Sequence, residues 1–327
     1  MPRAMTPEDQ DRTVVTGAAG FLGSHLVDRL LEHGGEVVGI DNLSTGRESN
    51  LHDARSNPRF RFRRADLSGL RSLPRAARYY HLASPASPPA YLKDPIGTLR
   101  VNSLGTVQVF ESARRSDGRV LLASTSEVYG DPEVHPQDES YWGHVNPVGP
   151  RSCYDEGKRF AEALAVAYRR HYGLDVRIAR IFNTYGPRMS PTDGRVISNF
   201  IMQGLRGEPF TLYGRGDQTR SYCYVSDLVR GLVLLLDAPR TVVTPVNLGN
   251  PREFTVRRTA ELVAQAIGIP ARFRFSPLPE DDPKQRSPVI QRARRYLRWY
   301  PRVPFEQGLK ETVAYFRPLA SRGSSRP

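Results

Sequence analysis
Short apolar runs alternate with segments of helical periodicity through the first half of the chain. Thr13-Val-Val-Thr16 reads as a brief buried strand, and Leu22, Leu26, Leu30 and Leu31 then recur at helix spacing until Gly34-Gly35 stops the pattern. Glu36-Val-Val-Gly-Ile40 is the next strand, and further strand-like runs lie at 59–66, 79–83, 119–124 and 175–180. Helical segments at 98–112 and 156–171 fall between them, the second closed by Gly173. This alternation predicts an α/β fold, a doubly wound parallel sheet of the Rossmann type with helices on both faces. Beyond about Asn183 the elements shorten and proline becomes more frequent, which predicts a smaller C-terminal substrate-binding lobe. The apolar runs 225–236 and 246–249 look like core elements returning to the main sheet. The expected division is therefore 1–182 plus approximately 224–250 for the sheet domain, 183–223 and 251–320 for the lobe, and a disordered tail at 321–327.

The first strand runs straight into Gly17-Ala-Ala-Gly20-Phe-Leu-Gly23, which opens the first long helix. Glycines in that place allow a tight turn and close approach of backbone to a pyrophosphate at the positive end of the helix; Gly23 permits close helix–strand packing. Asp41 ends the next strand, where a carboxylate accepts hydrogen bonds from ribose hydroxyls and repels a 2′-phosphate. The implied cofactor is NAD. The motifs Asp66-Leu67, Leu82-Ala-Ser84 and Ser124-Thr-Ser-Glu127 also sit at the carboxyl ends of strands, where ligands bind in such folds.

Tyr154 and Lys158 follow in the run Arg151-Ser-Cys-Tyr-Asp-Glu-Gly-Lys158. On a helix, positions i and i+4 share a face, and a lysine ammonium beside a tyrosine favours the phenolate. The pair is a base able to take a proton from an alcohol as hydride leaves its carbon.

Composition changes this picture little. The 327-residue chain carries a net charge of +13, but only four of its 47 basic residues are lysines and the arginines are spread along its length. That is an Arg-rich bias rather than a basic stripe, and no nucleic-acid-binding motif accompanies it. Two cysteines, Cys153 and Cys223, have no metal-ligand spacing, so no metal is expected, and they suit a reducing cytoplasm. No apolar run is long enough to span a membrane.

With these residues in view, the chain resembles the extended short-chain dehydrogenase/reductases that remodel nucleotide sugars, and among them the UDP-glucuronate decarboxylases. The resemblance covers 13–316 and is most specific at His81-Leu-Ala-Ser-Pro-Ala-Ser-Pro88, Ala123-Ser-Thr-Ser-Glu-Val-Tyr-Gly-Asp-Pro-Glu-Val-His-Pro136, Tyr141-Trp-Gly-His-Val-Asn-Pro147 and Ile181-Phe-Asn-Thr-Tyr-Gly-Pro-Arg188. It implies oxidation of the hexuronate at carbon 4, loss of carbon dioxide from the β-keto acid, and re-reduction to UDP-xylose. Tyr154 would act as base, Thr125 would bond the same oxygen, Lys158 would hold the nicotinamide ribose, and Glu127 would lie near carbon 5. The related 4,6-dehydratases carry Thr-Asp-Glu where this chain has Thr125-Ser126-Glu127, and Ser126 is a poor acid. Epimerases of the group generally lack the Glu.

The resemblance also implies a cofactor set of Gly17, Gly20, Phe21, Leu22, Gly23, Asp41, Asn42, Asp66, Leu67, Leu82, Ala83, Ser84 and Thr98, with Tyr154 and Lys158. Its substrate set is Pro85, Tyr91, Glu127, Asn183, Arg188, Asn199, Tyr213, Arg220 and Arg286; Asn183, Arg188, Asn199 and Arg220 would serve the UDP moiety. Val289 stands where the family usually has Asp. His81 is read as ordering a loop and Cys153 as a small packed residue. The helical segments 98–112 and 156–171 would pair across a two-fold axis as a four-helix bundle, giving a homodimer. A UDP-glucuronate 4-epimerase, a decarboxylase releasing the 4-keto pentose, and a catalytically silent NAD-binding regulator are the alternatives.

Overall fold
The computed structural model describes residues 6–278 and 284–323. After a one-turn helix α1 (Pro7–Asp11), strands β1 (Arg12–Thr16) and β2 (Glu36–Asp41) flank helix α2 (Phe21–Glu32). A short α3 (His52–Arg55) leads to β3 (Phe60–Arg64) and then β4 (Arg78–His81). Helices α4 (Pro88–Lys93), α5 (Pro95–Arg100) and α6 (Thr106–Arg115) precede β5 (Arg119–Thr125), and α7 (Ser152–Tyr172) precedes β6 (Val176–Ile181). The main sheet has seven strands in the order Val246–Leu248, β6, β5, β4, β1, β2, β3, with every neighbouring pair parallel. The order reverses between β1 and β4, the switch point at which such sheets open a ligand crevice.

The sheet strands are apolar on both faces because helices cover both; Val14, Val15, Val37, Leu121 and Val176 have no exposed surface. Val246–Leu248 and helix Val225–Asp237 pack onto this sheet, although the elements around them belong to the lobe. The lobe holds a three-stranded sheet, in which Thr219–Ser221 lies between Glu253–Thr255 and Gln285–Arg286, and helices including Val196–Leu205 and Val256–Ile267.

Three boundaries differ from the sequence expectation. The segment 98–112 is helical as expected but lies within a longer continuous run, 95–115, in which α5 passes through a π-helical stretch, Val101–Gly105, into α6. A π-turn adds one residue to the helix and shifts its apolar face, a change too short to stand out in the sequence pattern. Helix α7 begins at Ser152, ahead of the expected 156, which places Tyr154 in its first turn. The C-terminal helix Phe305–Gly323 runs past the expected start of the tail at 321, since extending a helix anchored by buried Phe316 costs little per residue. The rest of that tail, 324–327, and the start of the expected substrate loop, 281–283, lie outside the described residues.

Candidate active site
The glycine loop is shaped by contacts that leave no room for side chains. Gly17 has φ of 71°, and a Cβ there would come within 2.9 Å of the backbone of Leu82 and Ala83. A Cβ on Gly23 would lie 2.0 Å from the Gly17 carbonyl oxygen. Gly20 caps α2 without any side-chain hydrogen bond, so the first-turn N–H groups of a 12-residue helix remain available to an anion. Asp41 is buried and accepts from the N–H of Ala19 at 3.0 Å and of Leu43 at 2.7 Å. The Gly20 N–H also bonds this carboxylate, whose remaining acceptor capacity suits a ribose hydroxyl. Asn42 donates to Asp66 at 2.8 Å, which joins the ends of β2 and β3. This arrangement of uncapped helix, crowded glycines and terminal carboxylate fits a dinucleotide.

Not every expected cofactor residue offers its side chain. The Thr98 hydroxyl is fully buried and donates to the carbonyls of Asp94 at 2.9 Å and Tyr91 at 3.4 Å, so it ties α4 to α5. His81 orders the strand ends as expected: its ring bonds Thr16 at 2.9 Å and Thr106 at 3.0 Å. Burial drives its pKa down to about 3 and keeps it neutral.

Across the crevice, Tyr154 and Lys158 lie on one face of α7, both nearly inaccessible. The Lys158 ammonium donates to the Ala123 carbonyl at 2.9 Å and stands 5.8 Å from the Tyr154 ring centre. Burial lowers Lys158 to about 7, opposed by the charge of Glu162 one turn on. Burial raises the Tyr154 phenol above its ordinary value, against a hydrogen bond with Thr125 and the charge of Arg195. The lysine therefore does not by itself produce the expected acidic phenol, because desolvation of both groups outweighs their spacing. Tyr91 stacks on Tyr154 with ring centres 5.0 Å apart and planes 3° from parallel, and its buried hydroxyl has no hydrogen-bond partner.

Thr125 ends β5 and caps the 3-10 turn Ser126–Tyr129, accepting from the Glu127 N–H at 3.2 Å. That turn aims Glu127 at two guanidiniums: Arg286 donates to one carboxylate oxygen and Arg151 to the other, the latter at 3.0 Å. Arg220 is the register partner of Arg286 on the neighbouring parallel strand. Burial alone would raise the Glu127 carboxyl, but Arg286, Arg151 and Arg220 outweigh it and hold it below the ordinary carboxylate range. Asp155 adjoins the same cluster; burial, then the charge of Glu127, pushes it up to about 7.

The expected substrate residues divide into two groups. Tyr91, Glu127, Arg220 and Arg286 converge. Arg188 does not: its guanidinium bonds Asp28 of α2 at 2.6 Å and lies 3.7 Å from Asp53, so it clamps the lobe loop onto the glycine-loop helix. Asn199 donates to the Gly194 carbonyl at 2.9 Å, the Asn183 carbonyl accepts from Cys223, and Tyr213 is largely exposed. Among the described residues, no hydrogen bond joins these three to the Glu127 cluster.

Four site residues escaped the sequence reading. Arg151 and Asp155 flank Tyr154, and neither has a role in the sequence reading. Arg195, paired with Asp193, reaches the Tyr154 environment only through the lobe. Asn102, in the π-helical stretch, donates to Ser84 at 3.0 Å and packs under Gly157. Only the association of π-bulges with functional sites would have marked it, and the bulge itself was hidden.

The NAD dependent epimerase/dehydratase family matches residues 13–249. UDP-glucuronic acid decarboxylase 1 of Xenopus tropicalis is 51% identical over 313 residues, 96% of this chain and 74% of that protein. UDP-glucuronic acid decarboxylase 1 of Arabidopsis thaliana is 53% identical over 306 residues, 94% of this chain and 70% of that one. Among solved structures, a UDP-glucuronic acid 4-epimerase from Bacillus cereus, in complex with UDP-glucuronic acid and NAD, superimposes with a TM-score of 0.86 at 29% identity, covering 94% of this chain and 99% of its own. Agreement of fold, glycine loop and near-full-length identity assigns the protein: it belongs to the NAD dependent epimerase/dehydratase family.

Proposed function
We infer that the chain is a UDP-glucuronate decarboxylase that uses NAD as a regenerated cofactor and yields UDP-xylose. The observation that carries this reading is the charge of the cluster beside Tyr154. Three arginines, Arg151, Arg220 and Arg286, act on the ionised Glu127, so the site gathers guanidinium groups of the kind that recognise a hexuronate carboxylate. Ser126, at the place where dehydratases of the group carry Asp, adds no charge to repel that carboxylate. The half-identical relatives named as UDP-glucuronic acid decarboxylases support the same substrate.

The Gly17–Gly23 loop and Asp41 would hold NAD, which would supply the redox chemistry at carbon 4. Tyr154 takes the proton of the 4-hydroxyl, and Thr125, its hydrogen-bond partner, holds the same oxygen. Lys158 fixes its ammonium against the end of β5 through Ala123 and faces the Tyr154 ring. The keto group at carbon 4 lets the carboxylate leave as carbon dioxide, because the electron pair of the broken bond delocalises onto an oxygen that Tyr154 and Thr125 stabilise.

The protein pairs as a homodimer in this reading, through α5, the π-helical stretch and α7. Ile96, Leu99, Leu104 and Phe160 are exposed there, an apolar face that a second copy would cover. We place the enzyme in the cytoplasm, which suits its two free buried cysteines; no helix among the described residues is long and apolar enough to cross a membrane.

The test is incubation with UDP-glucuronate and NAD, read by proton NMR. UDP-xylose with carbon dioxide and no lasting NADH is expected. UDP-galacturonate would move the assignment to a 4-epimerase, and UDP-4-keto-pentose with accumulating NADH would show that reduction is not completed. A Tyr154→Phe variant should bind NAD normally and lose turnover by at least ~10²-fold.

A further inference from the structure
Exchanging a carboxylate for hydrogen consumes one proton per turnover. Tyr154 cannot furnish it, because the proton it takes from the 4-hydroxyl is the one it returns when the ketone is reduced. Carbon 5 needs a second source.

We propose that Asp155 is the proton store for carbon 5, delivering through Glu127; this deepens, and rests on, the decarboxylase reading. Asp155 follows Tyr154 in the first turn of α7 and is 6% exposed, with its Oδ1 buried and without a hydrogen-bond partner among the described residues. A buried carboxylate oxygen with no donor is costly when ionised and tolerable when protonated. Arg151 and Arg286 spend hydrogen bonds on Glu127 instead. The charged and titratable groups facing Asp155 are Glu127 from the turn after β5, Arg286 from the lobe strand, Tyr91 from α4, and Arg151, Cys153, Tyr154 and Glu156 from its own helix. Between them they divide the two carboxyls: the arginines hold Glu127 below the ordinary carboxylate range, while burial and the charge of Glu127 push Asp155 well above it and favour its protonated form. Neighbouring carboxyls driven apart in this way form a donor and a relay.

The step balances. Once carbon dioxide has left, the C4–C5 double bond of the enolate supplies the electron pair for a new C5–H bond and the 4-ketone re-forms. The Asp155 O–H bond breaks to protonate the Glu127 carboxylate, the Glu127 carboxylic acid so formed passes that proton to carbon 5 and returns to carboxylate, and the Asp155 carboxylate takes a proton from water before the next turnover. Asp155 touches no reacting atom in this scheme. It is a positioning residue for the proton, and the alternative is a purely structural acid favouring the helix N-terminus.

Asp155→Asn separates the two, because the amide copies the shape of the neutral acid. In deuterated water, exchange at carbon 5 of UDP-4-keto-pentose and turnover of UDP-glucuronate would both be followed by NMR. Expected are a fall of about 10²-fold in kcat and in the exchange rate, KM within roughly twofold, and partial recovery in Asp155→Glu. Wild-type kcat and exchange in the Asn variant would overturn the role of Asp155 while wild-type UDP-xylose formation left the decarboxylase reading standing. Formation of UDP-galacturonate by the wild type would overturn that reading itself. Should the Asn variant not fold, carbon-13 NMR of labelled aspartate in the wild type decides: a carboxyl titrating near neutrality supports the proposal, and all carboxyls titrating in the ordinary acidic range refute it.

Discussion

Replacing Gly23 by alanine tests how far backbone crowding at the glycine loop determines cofactor binding. The added Cβ would sit 2.0 Å from the Gly17 oxygen, 2.8 Å from the Gly17 carbonyl carbon and 2.9 Å from the Ala18 Cα. Ordinary contact begins at 3.4 Å, so the loop or the helix must give by about 1.4 Å, the difference between 3.4 and 2.0. All three atoms are backbone, so no rotamer change relieves the clash. Movement of the loop also disturbs Gly17, where even an added Cβ would come within 2.9 Å of the Leu82 and Ala83 backbone. Overpacking of this kind costs ~1–3 kcal/mol of stability. Displacing by more than an ångström the N–H groups meant for a pyrophosphate should weaken NAD by at least ~10-fold, about 1.4 kcal/mol. Gly35→Ala is the control, since its nearest neighbour, the Leu30 oxygen, is 3.6 Å away. Urea denaturation and calorimetric titration with NAD would be run on both. Wild-type affinity and stability in Gly23→Ala would refute the assignment of this loop to the cofactor.

Three further outcomes are expected. Lys158→Met should make the protein more stable near pH 6, because burial has lowered the lysine pKa to about 7 and charging it costs free energy. With the folded pKa below the unfolded ~10.4, that gain is full below about pH 7 and fades as pH rises towards 10.4; denaturation curves at two pH values measure it, and a gain that grows with pH would refute the sign. Ser126→Asp should raise KM for UDP-glucuronate by roughly tenfold through like-charge repulsion without creating a dehydratase; steady-state kinetics with an unchanged KM would argue against a nearby substrate carboxylate. Phe160→Glu, on the exposed face of α7, should shift light scattering at micromolar concentration from dimer to monomer, and an unaltered mass would show that the dimer uses another surface.

Sequence periodicity was a sound guide wherever the signal is local. The strand–glycine–helix–acid run from Thr13 to Asp41 prescribes its own geometry, because each residue acts on backbone close to it in the chain. The Tyr154–Lys158 spacing likewise needed only a helix. The π-stretch at Val101–Gly105 was invisible because one added residue is too short a change to stand out in the sequence pattern, and Asn102 was lost with it.

What the chain determined alone is thus the dinucleotide loop, the tyrosine–lysine pair and the alternation that builds the sheet. What only the tertiary structure decided is the ionisation of the site and the allegiance of its arginines. Glu127 meets Arg286 across 159 positions of sequence and Arg151 across 24, and nothing in either neighbourhood announces the pairing. Arg188 and Arg220 are the same residue type, yet the first is taken by Asp28 and the second, on the strand Thr219–Ser221, acts on Glu127. Tyr154 and Lys158 are both pushed towards neutrality by burial, a property of everything packed around them and not of their spacing. Charge and desolvation act through space, so these choices exist only once the lobe has closed on the sheet.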